Sequence, residues 1–190
     1  PHALSFVGAA EMDEIVYVAG IQTVGERSEF INIFWSLNLN NLEAGWESLK
    51  PWEGPVRNRA VVVGQNTGYR KNLYIIGGEA QIEDEKGEIQ TRQLTDGYRY
   101  SLTNEKWERI TDTPHPVTAA PGIAYGQSHV LIFGGKTDNN AGMNLSIKGD
   151  NHPLYSHDLL VYHTITDTWL IQAEIPLGVV SAEAVSWGEG

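Results

Sequence analysis

Apolar runs of five or six residues recur along the chain, each closing on small residues or a glycine pair. A second run bearing Tyr or Trp follows each, and then, after a polar turn, a Trp. In the first copy Glu14-Ile15-Val16-Tyr17-Val18-Ala19-Gly20 precedes Asn32-Ile33-Phe34-Trp35-Ser36-Leu37 and then Gly45-Trp46. In the second, Asn72-Leu73-Tyr74-Ile75-Ile76-Gly77-Gly78 leads to Gly97-Tyr98-Arg99-Tyr100-Ser101-Leu102 and Lys106-Trp107. The third runs His129-Val130-Leu131-Ile132-Phe133-Gly134-Gly135, Asp158-Leu159-Leu160-Val161-Tyr162, and Thr168-Trp169. Short runs of this composition bounded by Gly, Asn, Asp and Thr predict strands, four to a repeat. Ala-, Gly- and Val-rich first strands are expected around Ala3–Ala10, Ala60–Gln65 and Ala119–Tyr125. The second strands carry apolar residues at successive positions, as buried strands do when both faces are covered.

Trp46, Trp107 and Trp169 stand 61 and then 62 positions apart. A repeat of this order with paired glycines and a late Trp predicts an all-β, kelch-repeat β-propeller. The blades are expected over 1–52, 56–113 and 117–176, with one extra first strand of a next blade over 179–187. Small first strands suit the innermost place in each blade, and each Trp is expected to pack between blades. Closure needs at least about four blades. With its start at Pro1, the chain reads as a piece of a longer propeller, completed by further blades or by a second copy.

Antiparallel order sorts the connections onto two ends. One end has tight turns at Glu11-Met12-Asp13, Thr103-Asn104-Glu105 and Thr166-Asp167. The other has long connections, Ile21–Glu29, Glu79–Thr95 and Lys136–His157, with linkers Lys50–Arg59 and Thr111–Thr118. Long connections in a compact domain are where sites are built, so the site is expected there. The same end gathers Arg27, Arg57, Arg59, Glu79, Arg92 and His152. Arginines converging on one mouth would hold a carboxylate by paired hydrogen bonds; pairing with loop carboxylates is the alternative. Glu79, directly after Gly77-Gly78, leaves the inner part of a blade and suits proton transfer. Its neighbours Glu83, Asp84, Glu85 and Glu88 read as solvated, and His157 beside Asp158 reads as structural.

The formal net charge of −11 argues against nucleic acid or an anionic membrane as partner, since both need a basic footprint. With no cysteine, disulfide and thiolate chemistry are excluded. Apolar stretches fall short of a membrane span. Neither metal-ligand spacing nor a nucleotide-binding fingerprint stands out, so no metal or organic cofactor is expected.

Longer segments carry a resemblance. Asn32-Ile33-Phe34-Trp35-Ser36-Leu37-Asn38-Leu39, Leu49-Lys50-Pro51-Trp52-Glu53-Gly54-Pro55-Val56-Arg57, Gly126-Gln127-Ser128-His129 and Tyr162-His163-Thr164-Ile165-Thr166-Asp167-Thr168-Trp169 resemble the cyclically permuted mutarotase family. That family includes the bacterial N-acetylneuraminate epimerases, six-bladed kelch propellers. The resemblance implies an isomerase of carbohydrate metabolism that interconverts anomers of a sugar acid and needs no cofactor. It further implies a periplasmic or other extracytoplasmic setting. It also implies catalysis by a Glu after a Gly-rich strand end, matched by Glu79, and by an Arg before Thr-Asp. Here Leu94 stands at that second place before Thr95-Asp96, and Arg92 is the nearest substitute. Arg57, Arg59, Arg27 and His152 are then the expected substrate-binding groups. A kelch module that binds a glycan or protein without catalysis is the second expectation, from a different class.

Overall fold

The computed structural model describes residues 4–24, 29–67, 69–137 and 155–185, with side chains from Gly8 onward in the first strand. Fourteen strands form in chain order among the described residues. The first sheet holds β1 (Leu4–Met12), β2 (Ile15–Val24), β3 (Glu29–Asn38) and, after a short 3-10 turn at Leu42–Ala44, β4 (Trp46–Leu49). The second holds β5 (Val61–Asn66), β6 (Lys71–Ile76), β9 (Gly97–Ser101) and β10 (Lys106–Ile110). Between its β6 and β9 a separate hairpin is inserted, β7 (Glu79–Glu83) with β8 (Ile89–Gln93). The third holds β11 (Gly122–Tyr125), β12 (His129–Phe133), β13 (Asp158–His163) and β14 (Thr168–Glu174). All pairings are antiparallel between neighbours. Three four-stranded sheets in this order have the form of propeller blades.

The unbroken apolar character of β6 has a direct cause. Leu73 and Ile75 join a core with Tyr17, Ala19, Phe34 and Trp52, whereas Tyr74 and Ile76 join one with Val130, Ile132, Leu160 and Tyr162. Successive side chains point to opposite faces of a strand, so the middle blade is sandwiched and both phases must be apolar. The second and third repeat Trp residues bind their blades to the linkers before them. Trp107 Nε1 donates to the Lys50 carbonyl at 2.9 Å and Trp169 Nε1 to that of Thr111 at 2.8 Å. Trp46 is half exposed, as are Leu170 and Ile171 on β14.

Crowding explains the small residues of the inner strands. A Cβ on Gly122 would lie 2.4 Å from Val61 Cγ1, and one on Gly8 would lie 2.5 Å from Val62 Cγ2. At the other end of the blades the glycine pairs have matching backbones, φ 63° and 93° at both Gly77-Gly78 and Gly134-Gly135. Gly78 N–H donates to Val117 O and Gly135 N–H to Val179 O, each at 2.7 Å. A Cβ on Gly77 would come within 2.2 Å of Val117 O. Gly77→Ala therefore adds left-handed strain to a clash with fixed backbone, and we expect a loss of roughly 2–3 kcal/mol in urea unfolding. A variant as stable as the parent would refute this account of the pair.

Asp167 closes a tight turn at the opposite end. Its Oδ1 accepts the Tyr162 hydroxyl at 2.7 Å and the Thr111 N–H at 2.9 Å. Burial pushes its pKa up, but the Thr111 and Tyr162 hydrogen bonds outweigh it, and the net direction is downward. A depressed folded pKa contributes stability above the unfolded value of about 3.9 and loses it as pH falls through the folded value. The urea midpoint should thus fall with acidification below about pH 4, and Asp167→Asn should flatten that limb.

Two expectations are corrected. The extra strand over 179–187 does not form within the described residues, where 179–185 make no ladder. Ser181, at φ 53°, occupies the turn that Arg59 (φ 54°) and Ala119 (φ 53°) make before β5 and β11. The segment therefore reaches only the approach to a strand, and residues 186–187 lie outside the described range. The Glu79–Thr95 connection is ordered as the β7–β8 hairpin. Asp84 is not merely solvated there: its Oδ1 accepts Lys86 N–H at 2.8 Å and Glu88 N–H at 3.0 Å, and its Oδ2 accepts Gln90 Nε2 at 2.7 Å.

Candidate functional site

Three turns at the entrance to the inner strands are chained together. Ala119 N–H donates to Arg59 O at 2.8 Å, and Ser181 N–H to Ala119 O at 2.6 Å. Beneath them the inner strands border a hollow of about 590 Å3, lined by Arg59, Ala60, Ala120, Gly122, Ser181 and Glu183 among others. Just outside this chain of turns stand the residues that follow the glycine pairs, Glu79 in the second blade and Lys136 in the third. Each is fixed by paired backbone bonds to the neighbouring linker. Glu79 and Asn58 exchange N–H and C=O at 3.0 Å in both directions, and Lys136 and Thr118 do so at 2.8 and 3.1 Å.

That framework carries a charged cluster. Glu79 Oε1 lies 3.6 Å from Arg59 Nη1, and its Oε2 lies 3.9 Å from Lys136 Nζ. The Glu79 side chain is 12% exposed, against 41% for Arg59 and 31% for Lys136. The carboxylate is sheltered and the two cations reach outward. A shielded carboxylate that keeps a path to solvent can accept and return a proton, and two cations beside it can bind a second carboxylate.

Glu79 also lines a lateral cleft of about 450 Å3, set between the projecting ends of β2 and β3 and the β7–β8 hairpin. Since Arg59 lines the hollow beside the inner strands, the Glu79–Arg59 pair joins the two spaces. The linker at the base of the cleft is held by Asn32. Its Nδ2 donates to Gly54 O at 3.3 Å and Pro55 O at 3.2 Å, and its Oδ1 accepts Arg57 N–H at 3.3 Å.

The expected residues distribute unevenly. Glu79 and Arg59 meet. Arg92 does not join them: it sits opposite Ala80 in the hairpin, while Glu79 sits opposite Gln93. Cross-strand partners share a face and sequence neighbours do not, so exposed Arg92 points away from Glu79. Arg57 is corrected from substrate holder to structural residue. It is 1% exposed, and its guanidinium donates to Gly77 O at 2.9 Å, Asp96 O at 3.1 Å and the Asp96 carboxylate. Its face also lies over the Tyr98 ring, 5.2 Å from the centroid. Arg27 and His152 lie outside the described residues. His157 bonds the Ile175 carbonyl at 3.2 Å through Nδ1, in keeping with a structural role. Asp158 instead meets His115 Nε2 at 2.8 Å.

Lys136 was missed by the sequence reading, although a signal for it exists. Gly134-Gly135-Lys136 repeats Gly77-Gly78-Glu79, so whatever position Glu79 holds in its blade, Lys136 holds in the next. Among the described residues no group of three or more His, Cys, Asp or Glu has metal-binding spacing, and no helix is long and apolar enough to cross a membrane.

Comparison with known proteins places these features. The family model for N-acetylneuraminate epimerase matches residues 1–146. Two N-acetylneuraminate epimerases of Haemophilus influenzae, strains PittEE and 86-028NP, are each 27% identical over 187 residues, 88% of this chain and 46% of theirs. Another from Vibrio cholerae serotype O1 is 26% identical over 129 residues, 66% of this chain and 30% of its own. The chain thus spans less than half the length of these curated relatives. The solved structure of YjhT superposes with a TM-score of 0.69 at 18% identity, covering 93% of this chain and 53% of that one. This likeness supports the all-β, blade-like fold.

Proposed function

The chain belongs to the N-acetylneuraminate epimerase family, and from that premise we propose that it interconverts the anomers of a sialic-acid-type sugar acid. The observation that carries the proposal is the sheltered Glu79 carboxylate set between Arg59 and Lys136. In this reading the cations receive the carboxylate of a 2-keto sugar acid, and hydrogen bonds of that charged kind contribute roughly 1.5–3 kcal/mol each. Glu79 takes the proton of the anomeric hydroxyl while the ring oxygen is protonated through water. The bond between the ring oxygen and the anomeric carbon breaks, giving the open-chain ketone. Rotation and attack of the freed hydroxyl on the other carbonyl face, with the proton movements reversed, give the second anomer. Each step conserves atoms and electrons and needs no co-reactant.

We further propose that the three blades form half of a six-bladed ring, completed by additional blades or by a second copy. The exposed Trp46, Leu170 and Ile171 on the outer strands support incomplete coverage of the end blades. The experiment that tests the function follows anomer exchange of N-acetylneuraminate by NMR with and without the protein. Faster exchange that scales with protein concentration supports it. An unchanged rate with a folded sample would leave the noncatalytic module as the working reading.

A further inference from the structure

Asn32 draws the linker over 54–58 away from the hairpin that it would otherwise extend. Asn58 and Glu79 exchange N–H and C=O, the first rung of an antiparallel ladder on the outer side of β7. The next rung would pair Val56 with Gln81, but no backbone bond joins them. Instead Asn32 Nδ2 holds the Gly54 and Pro55 carbonyls, and its Oδ1 accepts Arg57 N–H. The phase of the hairpin shows what is left open. Leu94 N–H donates to Gly78 O and Asp84 N–H to Glu88 O, each at 2.9 Å. Alternate residues of an antiparallel strand face one partner, so 78, 80, 82 and 84 bond within the hairpin while 79, 81 and 83 turn outward. Glu79 spends its outward pair on Asn58. The outward N–H and C=O of Gln81 and Glu83 have no partner among the described residues.

The cleft of about 450 Å3 opens where the linker leaves β7, and Val56, Asn58 and Gln81 all line it. Phe30, Val56 and Ile89 around it are 42%, 38% and 62% exposed. The Asn58 Oδ1 atom is buried with no hydrogen-bond partner, which marks the place of a missing donor. An open strand edge, an orphan acceptor and apolar walls suit one ligand chemistry, an extended polypeptide with apolar side chains at alternate positions. Within 83–88 the hairpin tip sets Glu83, Asp84, Glu85 and Glu88 against Lys86 alone. A strand running in the linker's direction enters at that acidic tip. We propose that β7 takes up a segment of a partner protein as an added antiparallel strand, basic at its start and apolar at alternate positions. A second copy of the same edge fits poorly: antiparallel self-pairing about Gln81 sets Glu79 opposite Glu83, and facing like charges disfavour it. The inference stands apart from anomer exchange and holds whether or not the protein catalyses it.

The probe is a synthetic peptide, acetylated and amidated, of lysine followed by alternating valine and threonine. Titration read at the Gln81 and Glu83 amide resonances should saturate. N-methylation of alternate peptide amides should weaken binding about tenfold or more, the return on lost backbone hydrogen bonds. Gln81→Pro removes an outward N–H, a place where an edge strand tolerates proline. It should keep the urea midpoint and the Ile82 and Gln90 amide shifts while weakening the peptide by the same order. Gln81→Ala, which keeps the N–H, should bind as the parent does. Glutamate in place of the lysine should bind several-fold more weakly at low salt. No saturation up to about 1 mM peptide overturns the proposal. So does undiminished binding by the N-methylated peptide, which decides the matter even where proline disturbs the hairpin, or by a Gln81→Pro variant with its ladder intact. Equal binding of the glutamate peptide overturns the basic character of the partner. A dimer of the protein alone, seen by light scattering and dissolved by Gln81→Pro, overturns the proposal in favour of a second copy at this edge.

Discussion

Arg57→Ala is expected to be the most destabilising single change described here, lowering unfolding free energy by roughly 3–5 kcal/mol, the cost of removing one partner from a buried ion pair. Three acceptors each lose a donor at once: the Gly77 carbonyl, the Asp96 carboxylate, and the Asp96 carbonyl, which keeps only Gly77 N–H. The Asp96 side chain is 14% exposed, so water can only partly replace the guanidinium. The damage would spread along the backbone, since Gly77 N–H also donates to Asp96 O at 3.0 Å and Gly78 N–H to Val117 O. Urea unfolding of Arg57→Ala, Asp96→Asn and the double variant separates the causes. If the pair matters as argued, the double variant is less destabilised than the two single losses added together. Additive losses would mean that the two residues act independently and that the pair is incidental.

Arg57 also shows where sequence reading of this chain stops. The apolar phases of β6, the glycine pairs and the repeat Trp residues were legible because each is dictated locally. A strand between two neighbours must be apolar on both faces, and a left-handed turn against a carbonyl must be glycine. The direction of an arginine is not dictated in that way. Arg57 and Arg59 are two residues apart in the linker, yet one is 1% exposed and the other meets Glu79. What separates them is the left-handed turn at Arg59 (φ 54°) and the anchoring of the linker by Asn32, both of which need partners from other parts of the chain.

The β7–β8 hairpin was hidden for another reason. Its residues are mostly exposed and polar, so it lacks the apolar period that reveals a strand, and its turn is held by a carboxylate of an ordinary acidic stretch. Ordering it moved the expected partner of Glu79. Arg92 is closer in sequence to the place where the family pattern has its Arg, but strand alternation turns it to the other face. Lys136, 57 residues beyond Glu79, is brought to the carboxylate by the repeat itself. Successive blades present equivalent positions side by side, so the residue opposite a catalytic candidate should be sought one repeat away.

That arrangement sets the largest functional effect. Glu79→Gln is expected to remove about 10²–10⁴-fold of the acceleration of anomer exchange, the usual share of a positioned general acid–base group. The substitution keeps size and hydrogen-bonding shape, and the backbone exchange with Asn58 does not involve the side chain, so the urea midpoint should stay close to that of the parent. Loss of rate without loss of stability would assign proton transfer to the carboxylate. Lys136→Gln makes the contrast: it leaves the carboxylate and removes a cation, so higher sugar concentration should be required, with a smaller fall in the saturated rate. If Glu79→Gln exchanged anomers at the parent rate, the carboxylate would have no part in the chemistry. The cluster of Glu79, Arg59 and Lys136 would then be an ion-pair network that joins the second blade to the third.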